Sequence, residues 1–409
     1  MNKLYYNQLS IASALIAFFV SLNLKLSKPN TKMLAYSIIS LIDSESVVTA
    51  DLANSINSPD FSSNSESIQK RFWRFFNNKH VNIYDSYDSI INYCLSNVKN
   101  VRHNELIVSM DHMFIKNNFI VFMLSLKIDK QSIPLYFSLE RTSSNCHSTI
   151  QKNARKKLFS QDFIFNAIDY VIELLKPLHS KIIFLGDRWF FNLQLLKHIQ
   201  DNNCFYCIRA KVNSCVNVLV YDKKEKHLIY RKLSYFKPYA CKSSFYENLI
   251  FGETIELKAN LAIAPALKTN DSDSDIIDDD NDTWFIVTNL KPKLAIRKYK
   301  MRYGAIEFLF KAQKSNGFYL EKSKTKNLHA METLYGVVCI SQLWLSILGL
   351  DYIKNYNHVK NKINIRFNKK VNGKTIRILS TFKLGLTLFK RVYNRHIDFI
   401  LKTNFRLYL

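Results

Sequence analysis

Between residues 104 and 211 the chain alternates apolar runs with helical repeats in an order that few folds can use. Residues 106–111, 119–127 and 133–139 are short, strand-like runs. The pairs Asn117-Asn118 and Asp129-Lys130 separate them as turns, which predicts a three-strand meander. Ile164, Ile168, Val171, Ile172 and Leu175 then fall at helical spacing, and Pro177 ends that helix. A strand-like run from Ile182, a helix over 193–199 and a strand over 204–211 follow. Three strands, helix, strand, helix, strand predict an α/β fold built on a mixed sheet with flanking helices.

Three acidic residues stand in contexts that suit chemistry. Asp111 closes the apolar run 106–111, and Asp187 closes the run 182–187. The carboxyl ends of strands are where open α/β sheets present ligand-binding groups. Glu307 sits in an amphipathic helical stretch, 299–314. Three converging carboxylates repel one another unless cations neutralise them, which points to a divalent-metal site for phosphoryl transfer. At about 100° per residue, Tyr303, Lys311 and Lys314 lie within roughly 40° of Glu307, while Arg302 projects well away. Ile306, Phe308 and Phe310 are left for packing.

At 409 residues the chain can bury a large core and divides into several modules. The net charge of +25 calls for a polyanionic partner. Abundant Lys, Asn and Ile also fit an AT-rich genome, so the placement of charge matters more than its sum. From Lys354 to Arg406 there are fourteen Lys or Arg against one acidic residue, Asp398. More than half the positive excess thus lies near the C-terminus, where it favours phosphate contact.

Other motifs carry less. The seven cysteines are odd in number and scattered through apolar stretches, which fits reduced, mostly buried thiols. Cys204 and Cys207 form a C-x-x-C, but no second pair supplies further zinc ligands. The acidic segment 271–282 mimics a calcium loop, yet Ile276 and Asp282 stand where an EF-hand needs Gly and Glu, so a solvated loop is expected. The apolar stretch 11–20 is too short to span a bilayer, and Leu9, Ala12, Ile16, Phe19 and Val20 follow helical spacing instead. Residues 334–350 are apolar but carry Ser341, Gln342 and Ser346, as a core helix does. No membrane partner is expected.

Five regions follow: a helical DNA-binding region over 1–100, a first core segment over 101–212, a β-rich insertion over 213–290, a second core segment over 291–350, and a basic region over 351–409. Within the first, residues 47–56 read as the small-residue helix of a helix-turn-helix. A polar loop and a helix over 66–77 follow, with Ile68, Phe72 and Phe75 on one face and Arg71 and Arg74 free for phosphates.

The order of strands and helices is that of the ribonuclease-H-like fold, and the acids resemble those of the DDE transposases of bacterial insertion sequences. The likeness is to the large insertion-sequence-four group, which has a β-rich insertion before its final Glu. Asp111 matches the first acid. Asp187, followed by Arg188, Trp189 and Phe190, matches the second with its Arg and aromatic. Glu307 with Lys314 matches the Glu-x6-Lys half of the Tyr-x2-Arg-x3-Glu-x6-Lys signature; residues 306–318, 284–289 and 380–386 are also similar. The other half is out of register. Tyr299 and Arg302 lie eight and five residues before Glu307, not seven and four, and Tyr303 takes the place of the Arg. Either a helical bulge near Gly304 restores the geometry, or phosphate contacts there are altered. The residue two places after Asp111 is Met113, where the family often has a hydroxyl.

The resemblance implies two Mg2+ ions, replaceable by Mn2+, held by Asp111, Asp187 and Glu307. It implies cleavage at terminal inverted repeats followed by strand transfer of the freed 3′-hydroxyl into target DNA. Arg188, Lys314, Arg302, Lys311, Tyr299 and Tyr303 would serve the DNA, and Trp189 would stack on a displaced base or pack. A synaptic homodimer acting on double-stranded DNA in the bacterial cytoplasm, nucleoid-associated when bound, completes the expectation. Two alternatives share these residues: a decayed, DNA-binding relic of a transposase, and a metal-dependent nuclease without strand transfer.

Overall fold

A computed structural model describes residues 3–61, 64–98, 105–116, 118–129, 131–142, 158, 160–178, 180–212, 214–222, 226–236, 242–265, 283–359, 365–371 and 374–392. The acidic segment 271–282, turn residues Asn117 and Lys130, Cys146, Cys241 and the basic end from 393 onward lie outside them.

Five helices come first: α1 (Lys3–Ser21), α2 (Lys28–Ser44), α3 (Thr49–Ser55), α4 (Ser65–Phe76) and α5 (Ile83–Ser96). Asn64 and Asn82 cap α4 and α5 with side-chain oxygens that accept backbone N–H bonds. The buried stripe of α1 is Ile11, Ala12, Leu15 and Phe19; Val20, expected inside, faces solvent. On α4 Ile68, Phe72 and Phe75 are buried, and Arg71 and Arg74 are exposed. The connection from Ile56 to Asn64 is longer than the roughly three- to four-residue turn of a helix-turn-helix.

The sheet begins with β1 (Glu105–Ile115), β2 (Phe119–Ile128) and β3 (Gln131–Arg141). Next come α6 (Gln161–Leu175), β4 (Lys181–Gly186), α7 (Leu193–Asp201) and β5 (Phe205–Ala210). Residues beyond them supply β6 (Asn217–Asp222), β7 (His227–Lys232), β8 (Ser244–Phe251), β9 (Leu257–Pro265) and β10 (Thr283–Thr288). All ten strands join one sheet in the order β3-β2-β1-β4-β5-β10-β9-β8-β6-β7. The first five have the ribonuclease-H-like order: β1, β2 and β3 are antiparallel, while β1, β4 and β5 run parallel through helical crossovers. β10 pairs antiparallel with β5 and carries the sheet onward. Asn289 extends that seam, its Oδ1 accepting from the Tyr206 N–H at 3.0 Å and its Nδ2 donating to the Cys204 carbonyl at 2.9 Å.

After the sheet come α8 (Pro292–Lys300), a π-helical turn (Tyr303–Glu307), α9 (Phe308–Lys314) and α10 (Leu328–Val359). A hairpin, β11 (Asn368–Val371) with β12 (Lys374–Arg377), and α11 (Thr381–Val392) end the described chain. α10 is long and apolar enough to cross a membrane, but its entire apolar window is buried inside the fold. It is the core helix, packed on α2, α4, α5, β3 and α11. At Gly385 the backbones of α10 and α11 come so close that a Cβ would overlap the Leu345 carbonyl. Part of the C-terminal positive charge is used internally: Lys383 and Lys390 pair with Glu45, and Arg377 pairs with Asp129.

Candidate active site

Asp111 does not end its strand. β1 runs on to Ile115 because the β2 hairpin keeps pairing with it, Asp111 opposite Met123 and Ile115 opposite Phe119. What ends near Asp111 is the parallel neighbour: the last β1–β4 partners are Met110 and Gly186. Asp111 and Asp187 are the next residue on each side, on strands about 4.8 Å apart. A shared register thus brings two acids far apart in sequence side by side. Gly186 leaves no room for a side chain, since a Cβ there would lie 2.9 Å from Ile208 Cδ1 and 3.1 Å from Met110 Cε.

Each acid is tied to the backbone. Asp111 Oδ1 accepts from the His112 N–H at 2.8 Å. Asp187 Oδ1 accepts from the Trp189 N–H at 2.9 Å and caps the single 3-10 turn Arg188–Phe190. Phe190 is buried beneath the turn, its ring stacked on His112 at 5.1 Å. Trp189 points outward, 68% exposed, with the Lys211 ammonium 4.8 Å from its ring centroid. Arg188 is half-buried in the same turn.

The third acid arrives through the π turn. Arg302 lies five residues before Glu307, and on a regular α-helix the two would be about 140° apart. The stretch Tyr303–Glu307 is π-helical, so one extra residue is absorbed in a single wide turn. Arg302 therefore faces the acids and does not project away. Its Nη2 donates to Asp111 Oδ2 at 2.6 Å, and its Nη1 donates to Glu307 Oε1 at 3.2 Å. One guanidinium thus joins β1 to the Glu307 helix. Gly304, in the middle of the turn, has open space where a Cβ would be.

The remaining expected contacts divide. Lys311 is exposed one turn beyond Glu307. Lys314 pairs with Glu321 at 3.4 Å. Tyr303 is half-buried and stacks on Trp284 with centroids 5.6 Å apart, while Tyr299 is only 1% exposed and packs edge-on against the same indole. Tyr299 and Arg302, expected on a DNA-facing surface, are both buried. Trp284 organises this cluster; its place in an apolar strand gave no hint of that. Ile306 and Phe310 pack inward as expected, but Phe308 is 54% exposed.

Two further anchors escaped sequence reading. Lys298 on α8, itself buried, pairs with the partly exposed Glu105 at the start of β1. Gln313, lying between Lys311 and Lys314, reads as surface but is fully buried. Its Nε2 donates to Gln342 Oε1 at 2.8 Å, and its Oε1 accepts from the Tyr335 hydroxyl at 2.8 Å. These bonds clamp α9 to α10. Arg71 lies over the Phe61 ring at 5.2 Å and, with Arg74, lines a groove of about 310 Å³ in the N-terminal helices.

Electrostatics follow from crowding. Burial pushes the Asp111 carboxyl up to about 6; Arg302 pulls it down, and Asp187 and Glu307 push it up. Burial also raises Glu307, again opposed by Arg302 and reinforced by Asp187. Burial disfavours the charged form of Arg302, yet the carboxylates around it outweigh that and raise its pKa. By contrast burial pushes the Cys207 thiol up to about 12 and Cys204 up to about 11, so neither is a ready thiolate.

Among the described residues no three His, Cys, Asp or Glu side chains are grouped so that they could hold a metal ion as they stand. Arg302 stands between two of the acids. The donor set still fits a hard divalent cation: it consists of carboxylate oxygens alone. Three carboxylates against one guanidinium leave an excess of negative charge for divalent cations to neutralise.

Residues 166–344 match a family model described as a transposase DDE domain. The match spans Asp187, the π turn and Glu307 and begins after Asp111, which the β1–β4 register supplies. No curated protein matches the chain.

Proposed function

We propose, from the match of residues 166–344 to a family model described as a transposase DDE domain, that this is an insertion-sequence transposase of the insertion-sequence-four group that cuts DNA at element ends and transfers the freed strand. The observation that carries this reading is the single guanidinium of Arg302 bonded to both Asp111 and Glu307, with Asp187 beside Asp111 in the parallel register.

Asp111, Asp187 and Glu307 would hold the divalent ions that the family uses, taken here as two Mg2+ replaceable by Mn2+. Those ions, when bound, would supply Lewis acidity to an in-line displacement at phosphorus. The chain's own residues do the rest. The His112 and Trp189 N–H groups fix one oxygen of Asp111 and of Asp187, so both carboxylates are oriented before substrate arrives. Lys311 and the Arg188 turn offer positive charge to the phosphates flanking the cut. Lys314 joins them once it leaves Glu321. Trp189, exposed beside Lys211, offers a stacking surface to a base or sugar. The exposed Arg71 and Arg74 extend the basic surface onto the N-terminal helices. A synaptic homodimer on terminal inverted repeats, working in the bacterial cytoplasm, completes the proposal. The relic reading arose from the shifted Tyr-x2-Arg register, and the π turn offers a way to absorb that shift.

The test is cleavage of a plasmid bearing the element's own ends, in Mg2+ or Mn2+. Asp187→Asn is expected to lower cutting by more than about a hundredfold while gel-shift binding persists. Metal-dependent cutting that survives in that variant rules the proposal out. Strand-transfer products separate a transposase from a nuclease that only cuts.

A further inference from the structure

Arg302 bridges two of the three acids, and its position sets it against any other cation there. We infer that Arg302 is a resident counter-ion that competes with divalent cations for Asp111 and Glu307, and that loading a cation releases it from the acids. This rests on the metal-site reading above.

Four observations support it. The guanidinium occupies Asp111 Oδ2 at 2.6 Å and Glu307 Oε1 at 3.2 Å, oxygens that a shared cation would need. Arg302 is 6% exposed and so cannot touch a DNA phosphate while it holds both acids. Its Nε is buried without a hydrogen-bond partner among the described residues, so this pose leaves a donor unsatisfied that another pose can satisfy. The π turn beside it is where a helix can change register, and the space outside Gly304 is open. A fork of two N–H groups suits this duty, because it spans two carboxylates that a point charge would hold one at a time.

A structural ion pair and a competing counter-ion differ in one measurable way. Removing a purely structural Arg loosens the ligands and leaves cation affinity equal or weaker. Removing a competitor strengthens it, because three uncompensated carboxylates then await the ion.

The experiment is Mn2+ titration of the DNA-free protein, read by electron paramagnetic resonance of free Mn2+ and by the Mn2+-induced rise in Tm. Arg302→Gln is expected to melt lower than wild type without metal, to bind Mn2+ about tenfold tighter, and to gain more Tm on loading. Arg302→Lys, which keeps the charge but loses the fork, is expected to fall between them, and it carries the test if the Gln variant does not fold. Adding Asp187→Asn is expected to abolish binding in either background. Equal or weaker Mn2+ affinity in both folded Arg302 variants overturns the inference and leaves the metal site standing. No Mn2+ binding in wild type or in either variant overturns both.

Discussion

Deleting Gly304 is the sharpest perturbation of the Glu307 helix. Four residues separate Arg and Glu by about 40° around a regular α-helix, and five separate them by about 140°. The π turn Tyr303–Glu307 recovers that difference, since Arg302 bonds Glu307 Oε1 at 3.2 Å despite the longer spacing. Removing Gly304 leaves the four-residue spacing and lets an unbroken α-helix put Arg302 on the same face. No atom lies within 4 Å of where a Gly304 Cβ would be, so little packing is lost. A glycine in a helix interior costs about 1 kcal/mol relative to alanine, and for a chain of 409 residues its removal is expected to raise Tm by about 1 °C. Cleavage of end-bearing plasmid is expected to stay within a few-fold of wild type. Inserting an alanine after Gly304 adds a second residue that one π turn cannot absorb, and that variant is expected to be inactive. A folded Gly304 deletion as inactive as Asp187→Asn would refute the register argument.

Other expectations follow from the same geometry. Asp111 has a folded-state pKa near 6, above its unfolded value, so the folded protein binds that proton more tightly and loses stability as pH rises from about 4 through 6. Comparing wild type with Asp111→Asn isolates this from His112, whose burial-lowered pKa of about 4 acts in the opposite sense. Without metal the Asn variant is expected to melt higher than wild type at pH 8, with the gap closing towards pH 5; a gap independent of pH would count against it. Lys311→Ala is expected to weaken DNA binding uniformly across sequences and to reduce the salt slope by about one, measured by fluorescence anisotropy. Lys314→Ala, already paired with Glu321, should do less. Gly385→Ala forces α10 and α11 apart and is expected to cost about 1–3 kcal/mol in denaturant melts, with DNA contacts untouched.

The core strands were legible because buried strands read as continuous apolar runs, and β2 is buried along almost all of its length. The extent of β1 was not, since it depends on which neighbour stops first: β4 ends opposite Met110 while β2 continues. β8 escaped notice because its burial is irregular, with a bulge between Tyr246 and Leu249 and Asn248 at φ 56°. The acids were legible from their flanking runs. The orientation of Arg302 was not, because angular arithmetic assumes one turn geometry throughout, and a π turn changes the count. The one-residue slip of Tyr299 and Arg302 against Glu307, with Gly304 between them, was the local signal of a bulge. Gln313 illustrates the converse: a polar residue between two lysines reads as surface until Gln342 and Tyr335, supplied by α10, satisfy it in the core.

The most direct measurement is anomalous diffraction from crystals soaked in Mn2+, with DNA ends bound if they can be obtained. The expected map has Mn2+ peaks bonded to oxygens of Asp111, Asp187 and Glu307 together, with Arg302 withdrawn from at least one of the acids. Peaks elsewhere, or three carboxylates that share no ion at saturating Mn2+, would contradict the claim that this cluster performs metal-assisted phosphodiester chemistry.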